Sequence, residues 1–200
     1  MDHDPSRYEA MFEDAGIDGE SLTVVLVRGG TRADVLRLLG AEAEAVREPY
    51  PDVEDADYSG YSVAEVDSGV VAFEHTGYAD PSPRVLAALS ALGGAAAVTR
   101  SNIQAHERFG CARDGVVLFD ADEFMYVEEH EKESVPSELR PMFDSAWVDL
   151  DAAGDDDEGV GGFVGYAMAA THTGVVVTAE DLARAEQQGY HRVRTLTYLE

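Results

Sequence analysis

The segment TVVLVRGGTRADVLRLLG, residues 23–40, joins an apolar run to a helical pattern through two adjacent glycines. Glycines at such a junction let backbone N–H groups surround a phosphate or another anion. A Walker loop also needs a lysine, and a dinucleotide-binding loop needs three spaced glycines; neither is present. The remaining candidate is an isolated anion site formed by Arg28, Gly29, Gly30, Thr31 and Arg32. The competing interpretation, which we favour, is a strand-to-helix turn with two solvated arginines.

Metal and cofactor chemistry receive little support from the residue spacing. The stretch from Asp149 matches a calcium loop at Asp151 and Gly154, but Ala153 and Val160 occupy positions that need oxygen ligands. The six histidines lack the pair spacing of a helical zinc motif, and the chain has one cysteine. We therefore expect no metal and no cofactor.

An enzyme that acts on a small anionic substrate is one alternative. Its candidate residues, which would have to meet in one pocket, are Arg28, Arg32, Glu74, His75 and His106. No serine elbow of the G-x-S-x-G type occurs. Catalysis by a cysteine also needs a base and an oxyanion site, and no residue near the single cysteine supplies them. We therefore assign no catalytic residue.

Tyrosines and carboxylates concentrate in and around one acidic loop and the hairpin that follows it. Tyrosine beside carboxylates suits recognition of a basic protein surface, with a buried anchor inside a charged rim. The alternative is that these rings pack over the sheet edge. The predicted contact residues are Tyr50, Asp52, Glu54, Asp55, Asp57, Tyr58, Tyr61 and Tyr78.

Charge is the most unusual property of the composition. Fourteen Lys and Arg face 40 Asp and Glu in 200 residues, which gives a formal net charge of −26. This balance opposes direct contact with nucleic-acid phosphates or anionic lipid and favours a basic protein as partner. An acidic proteome or a simple need for solubility would explain the same balance without any partner.

The chain carries none of the usual signals for export. Its first residues, MDHDPSRYEAMFEDAG, are acidic and contain no apolar segment of the secretory type. No run approaches the roughly 20 apolar residues that cross a bilayer. A single cysteine excludes an internal disulfide and suits a reducing compartment. We expect a cytoplasmic protein without membrane contact.

Periodicity predicts an α/β protein of the α+β type. Apolar runs indicate strands, with turns at 67–69 and 113–115, and capping residues mark helices that begin after Thr31, Ser82 and Thr178. We expect a mainly antiparallel sheet of about 5–7 strands with helices packed on one face.

The domain prediction is one domain over residues 1–200. Its core spans 20–127, and a C-terminal helical subregion spans 135–190. Two stretches rich in acids, proline or glycine, 48–59 and 149–160, are predicted to be loose loops.

Several ordered motifs resemble a family of actinobacterial proteins, the domain of unknown function 6461. They are the Arg-Gly-x-Thr turn into an Asp-Val-Leu helix, the E-x-x-G-Y exit of a hairpin, and N-x-x-A-x-x-R-F leading to A-R-D-G. The segment TGVVVTAEDL is similar to the closing helix of that family. The resemblance covers most of 22–125 and 165–187, and it implies a small cytosolic bacterial or phage-borne protein without indicating an activity.

These observations favour a non-enzymatic acidic module that binds a basic protein, of the immunity or inhibitor kind. One alternative is a DNA mimic that occupies the basic groove of a nucleic-acid-binding protein. The other alternative is the small enzyme described above. The oligomeric state is left open.

Overall fold

The computed structural model describes residues 5–17, 19, 21–47, 58–101, 107–148 and 163–194. In chain order the elements are α1 (Pro5–Asp14), β1 (Leu22–Arg28), α2 (Arg32–Leu39), β2 (Tyr58–Val66), β3 (Gly69–Glu74), α3 (Pro83–Gly93), β4 (Ala95–Ser101), β5 (Arg108–Arg113), β6 (Val116–Ala121), α4 (Arg140–Ala146), α5 (Phe163–Thr173), α6 (Ala179–Gln188) and β7 (His191–Arg194). Two 3₁₀ turns, Phe124–Tyr126 and Glu131–Ser134, lie between β6 and α4.

The seven strands form one antiparallel sheet in the order β6-β5-β4-β1-β3-β2-β7. Strand β1 lies at the centre, where it pairs with β3 from Thr23↔Glu74 to Arg28↔Gly69 and with β4 on its other side. The last strand, β7, pairs with β2 at one edge. The predicted α+β class and the mainly antiparallel sheet are therefore confirmed, with the strand number at the top of the predicted range.

Helices cover both faces of the sheet, so the prediction that they pack on one face is wrong. On one face, α1, α4, α5 and α6 pack on strand residues such as Val24 and Leu26. On the other face, α2 and α3 pack on Val25 and Val27. Successive side chains of a strand point to opposite faces, and nearly every residue of β1 is apolar. A strand of this composition needs cover on both sides.

The two faces differ in composition. The face under α1, α4, α5 and α6, here called the aromatic face, contains Phe12, Phe73, Phe109, Phe119, Phe124, Phe143 and Tyr166. The face under α2 and α3, here called the aliphatic face, is built almost entirely of Val, Leu and Ala, with Tyr61 as its buried aromatic residue.

Capping residues place the helices as the sequence predicts. The side chains of Thr31, Ser82 and Thr178 accept hydrogen bonds from the backbone N–H groups of Asp34, Val85 and Asp181. Helix α4 begins at Arg140, which places Pro141 in the first turn, where proline is tolerated, and not in the helix interior.

The domain prediction concerns several segments that lie outside the described residues. These include 48–57 of the first acidic loop and all of 149–160, whereas residues 58 and 59 begin β2. Among the described residues, no helix combines the length and the apolar character that a membrane span requires.

Candidate functional site

The junction between β1 and α2 is a tight turn that packs against the end of α3. Gly29 and Gly30 have φ of 63° and 75°, in the left-handed region that favours glycine. A Cβ atom at Gly29 would lie 3.2 Å from the Cα of Gly93, and a Cβ at Gly30 would lie 3.1 Å from the Leu92 side chain. Gly29 therefore serves the close approach of two backbones, and Gly30 leaves room for the Leu92 side chain.

The N-terminus of α2 already binds a carboxylate of the same chain. The backbone N–H of Arg32 donates to Oε1 of Glu65 at 2.7 Å, and Thr31 caps the Asp34 N–H at 3.2 Å. An added anion would have to compete with Glu65 for the positive end of the helix dipole.

The two arginines of the turn point to different elements. The Nε of Arg28 donates to the carbonyl of Thr173 at 2.6 Å, at the end of α5. Arg32 donates to Gln188 Oε1 at 2.6 Å and lies 2.7 Å from Nε2 of His191. The guanidinium groups of Arg28 and Arg32 therefore bind different parts of the chain and do not converge on one anion site.

The candidates for an enzyme site also lie apart. In the sheet register Glu74 pairs with Thr23, and Arg28 pairs with Gly69. Five residues of extended strand separate the two ends of β1 by about 17 Å, at roughly 3.4 Å per residue. His106 lies outside the described residues.

The side chains of Glu74 and His75 are both engaged by neighbours. Glu74 is fully buried and accepts hydrogen bonds from the hydroxyls of Ser59 and Thr76 and from the Thr76 N–H at 2.8 Å. His75 lies 2.8 Å from the Glu186 carboxylate. The two side chains are therefore held by different neighbours, Glu74 by hydroxyl groups and His75 by a carboxylate.

Three of the eight predicted contact residues lie in the described part of the chain. Tyr58 is half-buried, and its ring centroid lies 4.9 Å from the Arg192 guanidinium carbon. Tyr78 is also half-buried. Tyr61 is 1% exposed and donates to the Ala79 carbonyl, so its ring belongs to the core.

The other five predicted contact residues lie outside the described residues. They are Tyr50, Asp52, Glu54, Asp55 and Asp57.

Sequence reasoning missed a buried ion-pair network at the β4–β6 end of the sheet. Its members are Asp80, Arg100, Arg108, Asp120 and Asp122. Arg108 is 4% exposed and holds both oxygens of Asp120 at 2.8 Å from its Nε and Nη2. Its Nη1 donates to Asp80 and, at 2.8 Å, to the Pro81 carbonyl. Arg100 links Asp80 to Asp122 at 2.9 and 3.0 Å.

The pKa values in the buried ion-pair network respond to burial and pairing in opposite ways. Burial raises the pKa of Asp80, and the charges of Arg108 and Arg100 only partly offset this effect. Burial lowers the pKa of Arg108, but its hydrogen bonds and ion pairs with Asp120 and Asp80 outweigh that cost and leave the pKa raised. Through its bonds to Asp80, Pro81 and Asp120, Arg108 on β5 anchors the segment before α3 to β5 and β6.

An exposed acidic segment lies between β6 and α4. Its members, here called the 128–133 surface, include Glu128, Glu129, Glu131 and Glu133, all exposed. The Glu128 side chain is 80% exposed. Below this segment, Lys132 Nζ lies 3.6 Å from the centroid of the Trp147 ring and 3.7 Å from Asp144. The sequence signal was the string EEHEKE.

A groove opens on the aliphatic face between α2 and α3. Its volume is ≈ 890 Å³, and its walls include Leu38, Leu39, Tyr61, Val85, Ala88 and Val193. These residues come from α2, α3, β2 and β7. Such a groove cannot be deduced from spacing, because the walls join positions 38 and 193 through the fold.

Metal and thiol chemistry find no candidate in the described residues. No group of three or more His, Cys, Asp or Glu side chains within these ranges could hold a metal ion. Burial on β5 raises the pKa of the Cys111 thiol to about 12, so the thiolate form is scarce near neutral pH.

Comparison with known proteins supports the resemblance given above. The chain belongs to a family of unknown function, DUF6461, whose sequence profile matches residues 8–190. No curated protein and no solved structure matches the chain.

Proposed function

We propose that this chain is a cytoplasmic, non-enzymatic module that presents carboxylates to a basic protein partner, in the manner of an immunity or inhibitor protein in bacterial or phage conflict. The observation that carries the proposal is the surplus of 26 negative charges, from 40 acidic against 14 basic side chains. Each internal ion pair neutralises one positive and one negative charge, so pairing within the chain cannot reduce this surplus.

The acidic side chains of the described residues lie mostly at the surface. Within these ranges Glu74 and Asp80 are the buried acidic side chains, and the other described carboxylates are at least partly exposed. Several cations are already used within the chain, including Arg100, Arg108 and Arg113. A surface of this kind raises the association rate with a basic partner and makes binding sensitive to salt.

The 128–133 surface supports the proposal with a local geometry. The exposed glutamates flank Lys132 in sequence, and the Lys132 ammonium lies 3.6 Å from the centroid of the Trp147 ring. Carboxylates beside an aromatic ring that accepts a cation are suited to lysine and arginine side chains of a partner. Asp52, Glu54 and Asp55, which lie outside the described residues, are a second candidate set of carboxylates for the same partner.

Capture of partners from the native host, followed by measurement of affinity, tests the proposal. Three variants each remove three negative charges: Glu128, Glu129 and Glu133→Gln; Asp52→Asn with Glu54→Gln and Asp55→Asn; and, as matched control, Glu9 and Glu13→Gln with Asp14→Asn on α1. We expect one of the first two sets to weaken binding about tenfold and the control set to weaken it less than threefold, since screened charges act mainly at short range. Equal effects from all three sets would leave only a non-specific charge effect and contradict a defined binding surface.

The DNA-mimic form of the proposal makes a narrower statement about the partner. A captured partner that binds duplex DNA and releases the chain when DNA is added would support that form. A basic partner that does not bind DNA would leave the general protein-binding proposal in place and exclude the mimic.

A further inference from the structure

The groove on the aliphatic face differs in charge from the rest of this acidic protein. Its floor is formed by Tyr61 and Val193, and its sides by residues of α2 and α3 such as Leu38, Val85 and Ala88. None of the described lining residues is acidic, although 40 of the 200 residues are Asp or Glu. The volume of ≈ 890 Å³ lies within the range of about 300–1,000 Å³ that is typical of small-molecule sites.

One cation lies at the mouth of the groove. Arg84 is an exposed lining residue in the first turn of α3, and it makes no hydrogen bond or ion pair within the part of the chain that the structure describes. The N-terminus of α3 borders the same mouth, and its helix dipole also favours negative charge there. The other polar groups of the lining side chains are engaged within the chain: Ser82 caps the helix by accepting from the Val85 N–H, and the Tyr61 hydroxyl donates to the Ala79 carbonyl.

The rim of the groove is fixed by the buried ion-pair network. Arg108 holds the Pro81 carbonyl at 2.8 Å and also binds Asp80, directly before the first turn of α3. The guanidinium of Arg84 therefore extends from a backbone that is anchored to the sheet, which favours a defined position for the head group of a ligand.

We propose that this groove binds a small amphiphile with a hydrocarbon body and one anionic head, the chemical class of medium-chain carboxylates. The hydrocarbon chain lies along the Leu, Val and Ala walls, where removal of apolar surface from water drives binding. The carboxylate lies at the mouth beside the Arg84 guanidinium, which offers paired N–H donors to both oxygens. This ligand site is independent of the acidic surface proposed for protein binding.

The net charge of −26 opposes an anion only over a limited distance. At physiological ionic strength the screening length is about 8 Å, so remote carboxylates contribute little at the mouth of the groove. The local pair with Arg84 then decides the preference for a negatively charged head.

Calorimetric titration of the full chain at about 0.15 M salt tests the proposal with three probes: decanoate, butyrate and decan-1-ol. We expect decanoate to bind more than a hundredfold tighter than butyrate, because each buried methylene contributes about fourfold. Arg84→Gln should weaken decanoate binding by about two- to fivefold and leave decan-1-ol unchanged, as expected for one partly exposed ion pair. Arg7→Gln, which removes the same charge from α1 on the aromatic face, should change neither.

A variant that fills the groove supplies the second readout. Ala88→Trp on α3 should weaken both decanoate and decan-1-ol, with an unchanged circular dichroism spectrum as the check on folding. The proposal is overturned if decanoate does not bind, if butyrate binds equally well, or if the decanoate affinity is insensitive to Arg84→Gln.

Discussion

Charged residues play different parts in the buried ion-pair network and on the 128–133 surface. In the network, Arg100 and Arg108 face three carboxylates at close range, and Asp80 and Arg108 are almost fully buried. On the 128–133 surface four glutamates are exposed, and Lys132 is the cation beside them. Buried charges need partners to offset the loss of hydration, whereas exposed charges remain in water and are available to other molecules. The first region therefore satisfies its charges within the chain, whereas the second is a surface for which we propose a partner.

The largest expected effect comes from breaking the network at its centre. Arg108→Met should lower the free energy of unfolding by about 3–5 kcal/mol. The variant removes the cation that pairs with Asp120 and leaves the buried Asp80 with Arg100 as its remaining cation. Urea denaturation followed by circular dichroism measures this loss. Adding Asp80→Asn and Asp120→Asn to the same chain should recover a large part of it. A loss below 1 kcal/mol for the single variant would show that the network is not structural.

Protonation of a buried histidine gives the next largest effect. His172 is 3% exposed, its Nε2 donates to the Ala112 carbonyl at 2.9 Å, and burial lowers its pKa. The folded protein therefore resists protonation that the unfolded chain accepts below its ordinary pKa of about 6.5. Stability should be independent of this group above that pH and should fall as the pH decreases below it, by at most about 1.4 kcal/mol per pH unit.

The control for this prediction is His172→Gln, measured by urea denaturation between pH 7.5 and 5. This variant should lose stability overall but should show a flatter pH dependence than the original chain. A pH profile with the same slope in both proteins would assign the loss to other groups.

Asp181 and Glu180 are neighbouring carboxylates on α6, but within the described part of the chain only Asp181 has hydrogen bonds that give it a structural role. The carboxylate of Asp181 accepts from the Thr178 N–H at 3.0 Å in a capping box, and bonds with Thr178 and Arg184 outweigh partial burial and lower its pKa. Asp181→Asn should cost about 0.5–1 kcal/mol at pH 7, whereas Glu180→Gln should change stability by less than 0.5 kcal/mol.

The difference between these two variants has a predicted pH dependence. The folded pKa of Asp181 is lowered, so its contribution is complete above the ordinary pKa near 4 and disappears as the pH falls through the folded value. Thermal denaturation of both variants at pH 7 and pH 3 measures this. A penalty for Asp181→Asn that is unchanged at pH 3 would contradict the role of the charged capping box.

The smallest effect on stability is expected on the 128–133 surface. Replacing Glu128, Glu129 and Glu133 by Gln should change the free energy of unfolding by less than about 0.5 kcal/mol, since exposed charges away from caps and networks contribute little. Urea denaturation at low and high salt measures the change. A loss above 1.5 kcal/mol would mean that these glutamates stabilise the fold and are not free for a partner.

Local features of this chain were predictable because their causes lie within a few residues. The caps at Thr31, Ser82 and Thr178 are set by side chains that reach backbone groups three positions away. Strand β1 was predictable from its nearly continuous apolar run.

Features that depend on distant contacts were not predictable. Arg108 follows an acidic residue in the string AHERFGCAR, and its burial arises only when β5, β6 and the start of α3 meet. Tyr61 was assigned to a partner surface because it is near other tyrosines in sequence, but strand alternation directs its ring into the aliphatic face. The groove joins α2, α3, β2 and β7, so no single window of sequence contains it.

The proposed role of the surplus carboxylates is to bind a basic protein partner. The most direct test is the dissociation constant of the complex with a captured basic partner, measured by calorimetry at 50, 150 and 500 mM salt. Attraction between an acidic surface and a basic partner is screened as salt rises, so we expect affinity to fall by tenfold or more across this range. An affinity that stays constant from 50 to 500 mM salt would contradict this role.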